Sequence, residues 1–417
     1  VVWRFATDQT NPQFDDPTAA GYTEVVASNN AVLQARFDPK GNIRPWDRTL
    51  QIKIVKGFMK EGDTITVRFG VTDHGGPGMR LQTFCEKRYD FRVLVDPIAT
   101  YNFQTLAEQP AIAIVPGSPE TWVAVVPSTI ASGVPFALKI KAEDTWGNPT
   151  NKASMTLTPK ASQSVENLPD SIEMVEATFS TVLDGLVVRE SGPLEITLHT
   201  SDGSLVTTCN PATVSEAPPL MSYWGDLHGQ SDETLGTNSA ADYFSFGRDK
   251  AFLDACAHQG NDFQMTDTFW RDLNKVTAHF NRDGEFVTLP GYEWSGNTAL
   301  GGDRNVFFPV EGRTMRRSSM RAYACGDQWG RADRVRRCGS ARLRSARWWP
   351  TNSSNARPDR ERAAAPQPSA PCRRGQIVLF EQALGFTRGQ FRKDLAAAAR
   401  RQLVDDEQQL VRFQRAR

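Results

Sequence analysis

Short stretches in which apolar and polar residues alternate dominate the first half of the chain. "LQIKIVKGFM" (50–59), "DTITVRFGV" (63–71), "YDFRVLVDP" (89–97), "TWVAVVPS" (121–128), "PFALKIKAED" (135–144), "ASMTLTP" (153–159) and "PLEITLHTSDG" (193–203) are rich in Val, Ile, Thr and Phe. Gly, Pro, Asn and Asp clusters separate them, the pattern of half-buried strands in β-sandwiches. Two sandwiches are expected, over 1–105 and 110–215. The second, with "WGNP" as a turn, has the look of an immunoglobulin-like module.

After the Pro-rich "NPATVSEAPPL" (210–220) the period changes. "MSYWGDLH" (221–228) predicts a strand and "SAADYFSFGRDKAFLDACAHQ" (239–259) a Ser-capped helix. "NDFQMTDT" (261–268) predicts a second strand. "TFWRDLNKVTAHFN" (268–281) predicts a helix, because Phe269, Leu273, Val276 and Phe280 fall on one face. "EFVTLPGYEW" (285–294) predicts a third strand. Alternating strands and helices imply a parallel sheet or barrel, in which chemistry gathers where strands run into their following loops.

Those places hold the candidate chemistry: Asp226 and His228 after strand one, Asp267 after strand two and Glu293 after strand three. Carboxylate oxygens and an imidazole nitrogen suit a divalent ion such as Zn, Mn or Fe. Each has a plainer role as well. His228 is also readable as a buried turn histidine, Asp267 as a helix cap and Glu293 as a partner of Arg304. Arg304, in the Gly-rich "GGDRN", is a candidate for gripping a phosphate. His258 is expected in the last turn of a helix and His279 on a solvent-facing side. No serine or cysteine sits in a recognisable nucleophile elbow.

"GDLHGQS" (225–231), "GNDFQMTD" (260–267) and "LPGYEWSGNTALGGDRNVFF" (289–308) together resemble a bacterial family at or near the polymerase-and-histidinol-phosphatase (PHP) metal-dependent phosphoesterases. Some relatives of that group carry an aryldialkylphosphatase (parathion hydrolase) label. The resemblance is dense over 221–312 and loose before it. It implies a partial α/β PHP-type barrel and a hydrolase of phosphoester bonds, including organophosphate triesters, in which metal-activated water attacks phosphorus. Asp226, His228, Asp267 and Glu293 would be metal ligands, and Asp226, His228, Glu293 and Arg304 the catalytic set. The chain departs from the motif Asp-x-His-x-His: Gln230 stands where the second His is usual, and Thr268 follows Asp267 where a His is usual. Gln230 is therefore expected to hydrogen-bond a carboxylate or metal-bound water instead of the metal.

Composition alters the picture at the far end. The chain has no net charge, yet residues 1–312 carry about −15 and 313–417 about +15, the latter almost wholly as Arg. The tail contains no His and shows no helix or strand period until its last stretch, "FRKDLAAAARRQLVDDEQQLVRFQRAR" (391–417), whose good helix formers allow an isolated helix. It is expected to be irregular and is read as a shifted frame of a GC-rich gene more readily than as a nucleic-acid-binding arm. The first residues, Val-Val-Trp, suggest a start other than the natural one. The six cysteines form no CxxC, which points to a reducing, cytoplasmic setting. No apolar run is long enough to span a bilayer. The expected partner is a small phosphoester; the competing reading is a non-enzymatic binding protein built on the sandwiches.

Overall fold

The computed structural model describes residues 1–218, 220–296, 303–318, 376–381 and 411–412, and these are mostly β-strand with two helices. Strands Val2–Trp3, Val32–Asp38 and Arg48–Lys56 form one small sheet, and Thr23–Ala27 pairs with Ile65–Phe69. They enclose an aromatic core in which Trp3 stacks on Phe37 at 5.4 Å and meets Phe69 and Phe91 edge-on. Glu86–Asp90 pairs antiparallel with Ala111–Ile114, so this first unit runs to residue 114 rather than ending at 105. The hairpin that carries residues 94–105 lies inside it.

The second unit is a β-sandwich. One sheet contains Thr121–Val125, Phe136–Glu143, Thr181–Val188 and Val165–Glu166; the other contains Ile172–Met174, Met155–Ala161, Ile196–His199 and Leu205–Thr208. Phe136, Leu138 and Ile140 alternate inward from the first sheet, as the period of two demands. They meet Leu157, Ile172, Ile196 and Leu198 from the second in one buried cluster.

The third unit supplies the candidate chemistry. Strand β1 (Leu220–Gly229) is followed by α1 (Ala240–Asp249), β2 (Ala255–His258), α2 (Asp267–Phe280) and β3 (Val287–Leu289). β1, β2 and β3 are parallel neighbours. β4 (Gly291–Ser295) and β5 (Asp303–Phe307) pair antiparallel, and β4 runs parallel to the residues that follow β2, with Glu293 bridging Asn261. Gln376–Glu381 lies antiparallel to β1 on its other side. The described residues form an open sheet, and no closed barrel is present among them.

Two expected elements fall elsewhere. The long helix stops at Asp249, and its expected last turn, "ACAH", is the strand β2, wholly buried between β1 and β3. "NDFQMTDT" is accordingly a turn and the start of α2, not a strand. The third strand breaks at Pro290, which has no N–H for a ladder, and continues as β4 in a different sheet. Packing also continues past 312. Trp270 Nε1 donates to the Arg313 carbonyl at 2.8 Å, Arg316 N to the Tyr292 hydroxyl at 3.1 Å and Ser318 Oγ to Asp262 Oδ1 at 3.0 Å. The Arg-rich composition therefore begins inside the folded unit, and the reading of the tail beyond 318 falls almost entirely outside the described residues. No described helix is long and apolar enough to cross a membrane.

Leu138 is fully buried between the two sheets of the sandwich. Leu138→Ala should lower unfolding free energy by about 2–5 kcal/mol, read as a shifted urea midpoint.

Candidate functional site

The site lies just past the ends of β1 and β2, where β4 runs alongside residues 260–262. β4 is tied there by reciprocal backbone bonds: Glu293 N donates to the Gly260 carbonyl at 3.0 Å and Asp262 N to the Glu293 carbonyl at 2.9 Å. Two glycines permit this closeness. A Cβ on Gly229 would lie 2.0 Å from the ring of Tyr243, whose hydroxyl donates to the Asp226 carbonyl at 3.1 Å. A Cβ on Gly291 would lie 2.2 Å from the amide nitrogen of Gln259, a fully buried side chain.

Glu293 is buried, and Gln230 addresses it. The Gln230 amide oxygen accepts from Thr234 Oγ1 at 2.9 Å and from Leu235 N at 3.2 Å. Its nitrogen therefore turns the other way, donating to Asn261 Oδ1 at 3.1 Å and Glu293 Oε2 at 3.2 Å. All four valences of the amide are used. An imidazole, with one donor and one acceptor when neutral, would leave part of this network unmade. Burial pushes the Glu293 carboxyl above its ordinary value, opposed by the nearby His228.

His228 is about half exposed and faces the same carboxylate, with Nε2 3.5 Å from Glu293 Oε2. Asn305 Oδ1 lies 2.8 Å from Nδ1. An amide oxygen only accepts, so Nδ1 carries the proton and the Nε2 lone pair points toward carboxylate oxygen. Two lone pairs in opposition call for a proton or a cation between them. Ligands about 2.0–2.2 Å from a tetrahedral zinc stand about 3.4 Å apart, which the observed spacing matches. Asn305 occupies the place of the outer partner that fixes the tautomer of a metal-bound imidazole. The fit is partial: among the described residues no group of three or more His, Cys, Asp or Glu is placed to hold a metal ion.

The other expected residues are distributed differently. Asp226 Oδ1 turns back to accept the His228 backbone N–H at 3.0 Å, within its own turn. Asp267 is not brought to the site. It is the first residue of α2, its side chain is 83% exposed, and it pairs with Arg317 at 2.6 Å. The helix cap is the preceding Thr266, whose hydroxyl accepts from Phe269 N. With β2 at Ala255–His258, Asp267 lies nine residues beyond the strand tip. Arg304 pairs in register with Trp294, and Asn305 with Glu293. Successive strand residues point to opposite faces, so Arg304 faces away from Glu293 and its guanidinium lies over the Trp294 ring.

Three residues at the tip of β2 are part of the site: Asn261 and Asp262, to which the sequence pattern assigned no role, and His258, which it expected in the last turn of a helix. Asn261 completes the amide network. Asp262, fully buried, accepts from Ser295 N at 3.1 Å and from Ser318. His258 is buried, and its Nδ1 accepts from Gly260 N at 3.2 Å. Nε2 therefore bears the proton and donates to Ser231 Oγ at 2.7 Å. This pair cannot activate the serine, because the imidazole offers it a donor rather than a base. The usable signal was "HQGND", a polar run directly after a short apolar one.

Residues 195–327 match the profile of a family described as "Protein of unknown function (DUF3604)". That match includes the whole site and extends past the 312 boundary. An uncharacterised protein of Chlamydia pneumoniae is 24% identical over 272 residues, covering 61% of this chain and 42% of its own length. One from Chlamydia trachomatis is 24% identical over 307 residues, covering 70% and 47%. The chain thus spans less than half the length of these curated relatives. Among solved structures, the D00-D0 domain of Intimin overlaps with a TM-score of 0.22 at 8% identity, over 46% of this chain and 100% of that one. So shallow an overlap does not identify a shared architecture.

Burial, and secondarily the neighbouring His228, hold the His258 imidazole down at about 3, from an ordinary 6.5. Below pH 6.5 the unfolded chain takes up a proton that the folded chain refuses. This residue therefore costs stability as pH falls, by about 1.4 kcal/mol per unit. Between pH 6.5 and 4.5, wild type should lose about 2–3 kcal/mol more than His258→Gln, measured by urea unfolding at both pH values. Equal losses would show that another group sets the acid limit.

Proposed function

We propose that the α/β segment belongs to a metal-dependent hydrolase of phosphoester bonds, related to the PHP phosphoesterases and acting in the cytoplasm. What carries this reading is the His228–Glu293 pair: an imidazole whose tautomer is fixed by Asn305, its free lone pair directed at a buried carboxylate 3.5 Å away. His228 Nε2 and Glu293 Oε2 would be two ligands of a Zn, Mn or Fe ion. When bound, such an ion supplies Lewis acidity toward water and a phosphoryl oxygen.

The chain's own residues have separate tasks. Gln230 holds the carboxylate of Glu293 in place, and Asn305 holds the ring of His228. His258 stays neutral at working pH and moves no proton; it braces Ser231 at the root of the loop. Triester, diester and monoester substrates share the phosphoryl oxygen that such a site would grip, and aryl dialkyl phosphates are the class the sequence resemblance favours.

The purified full chain should contain Zn, Mn or Fe by elemental mass spectrometry. It should also release p-nitrophenol from at least one of the p-nitrophenyl phosphate mono-, di- or triesters. His228→Ala and Glu293→Gln should each reduce bound metal and hydrolysis about tenfold or more, in the range of losing a bond worth at least ~1.4 kcal/mol. Metal far below stoichiometry together with no hydrolysis of any of the three esters after Mn or Zn is added would sink the proposal.

A further inference from the structure

Arg4 lies in the first unit, just after strand Val2–Trp3, yet its side chain is almost fully buried against the α/β segment. Nη1 donates to the Asp232 carbonyl at 3.0 Å and Nη2 to the Thr234 carbonyl at 2.8 Å, more than 220 positions along the chain. The guanidinium also stands over the ring of Trp46 at 5.3 Å, and Asp232 and Glu86 lie near enough to balance its charge. Burying a guanidinium is expensive unless its donors are used. Here Nη1 and Nη2 are spent on main-chain oxygens of one short turn, while Nε stays buried with no hydrogen-bond partner among the described residues.

That turn holds the Gln230 amide. Thr234 Oγ1 and Leu235 N are the two donors to Gln230 Oε1, and by occupying the oxygen they help turn the amide nitrogen toward Glu293. The same N-terminal unit grips the far end of the loop, where Lys87 N donates to Asn238 Oδ1 at 2.8 Å.

We propose that Arg4 is a positioning residue for Glu293, acting across the boundary between the first β unit and the α/β segment through the 231–235 turn and Gln230. The site is then a joint product of the two units: the β unit sets the rigidity of the amide that aims the carboxylate. The inference rests on the reading of Glu293 as a metal ligand given above.

Two readouts on the full chain separate this inference from that reading. The first is hydrogen exchange at the Leu235 amide, which needs no ligand. Arg4→Ala should speed it about tenfold or more relative to wild type, with Leu273 in α2 unchanged and Arg4→Lys intermediate. The second is calorimetric titration with Mn²⁺ alone in a double-mutant cycle. Arg4→Ala should weaken Mn²⁺ binding in the wild-type background and change it by less than about twofold in a Gln230→Ala background. An unchanged Leu235 amide, or equal losses in both backgrounds, overturns the proposal, since equal losses mean general loosening of the fold. If Arg4→Ala does not fold, Thr234→Val removes the next link and must give the same Leu235 and Mn²⁺ pattern; if it does not, the chain of contacts is refuted. Wild type that takes up no Mn²⁺ defeats the metal reading, and Leu235 exchange alone then decides the role of Arg4.

Discussion

A carboxylate taken out of water must be met by donors or by positive charge, and the α/β segment is organised around meeting this demand for Glu293. The residue is 7% exposed where β4 runs beside the residues that follow β2. One oxygen receives an amide proton from Gln230 and faces His228. Remove either and the carboxylate is left with too few partners, which burial turns into a free-energy cost. The backbone of β4 is held at the same place by Gly260 and Asp262, and turning the carboxylate out to water would give up its bond from Gln230.

Amides do much of the work that a second histidine or a further acid would do in a richer ligand set. Gln230, Asn261 and Asn305 each sit one contact away from His228 or Glu293. None carries charge, so together they fix direction without neutralising the carboxylate. That leaves a site whose geometry is set and whose charge is still open, the condition under which a cation is attracted. Nearby His258 contributes none of that charge, because burial keeps it neutral.

The support extends well beyond the segment itself. Arg4 comes from the first unit. From the second, Ser128 accepts from the Trp224 indole at 3.2 Å, and Lys141 Nζ donates to the Lys250 carbonyl at 2.7 Å, at the end of α1. Arg4 and Lys87 thus brace the loop that bears the site, while the second unit holds the middle of β1 and the far end of α1.

Local patterns in the sequence were enough to indicate a β-rich first half, the amphipathic α2 and the placing of His228 at the end of a strand, whereas Glu293, expected after a strand, lies in the middle of β4. Alternation and helical spacing are local, and a strand tip is legible wherever a turn signal follows an apolar run. Three matters depended on tertiary contacts. "ACAH" has no β pattern of its own and is a strand only because β1 and β3 flank it on both sides, which moved the second strand tip from Asp267 back to Asn261 and Asp262. The face toward which Arg304 points followed from its register opposite Trp294, and a shift of one residue would have reversed it. The direction of the Gln230 amide, and with it the aim of Glu293, was decided by a turn clamped from Arg4, a contact so distant along the chain that no local pattern encodes it.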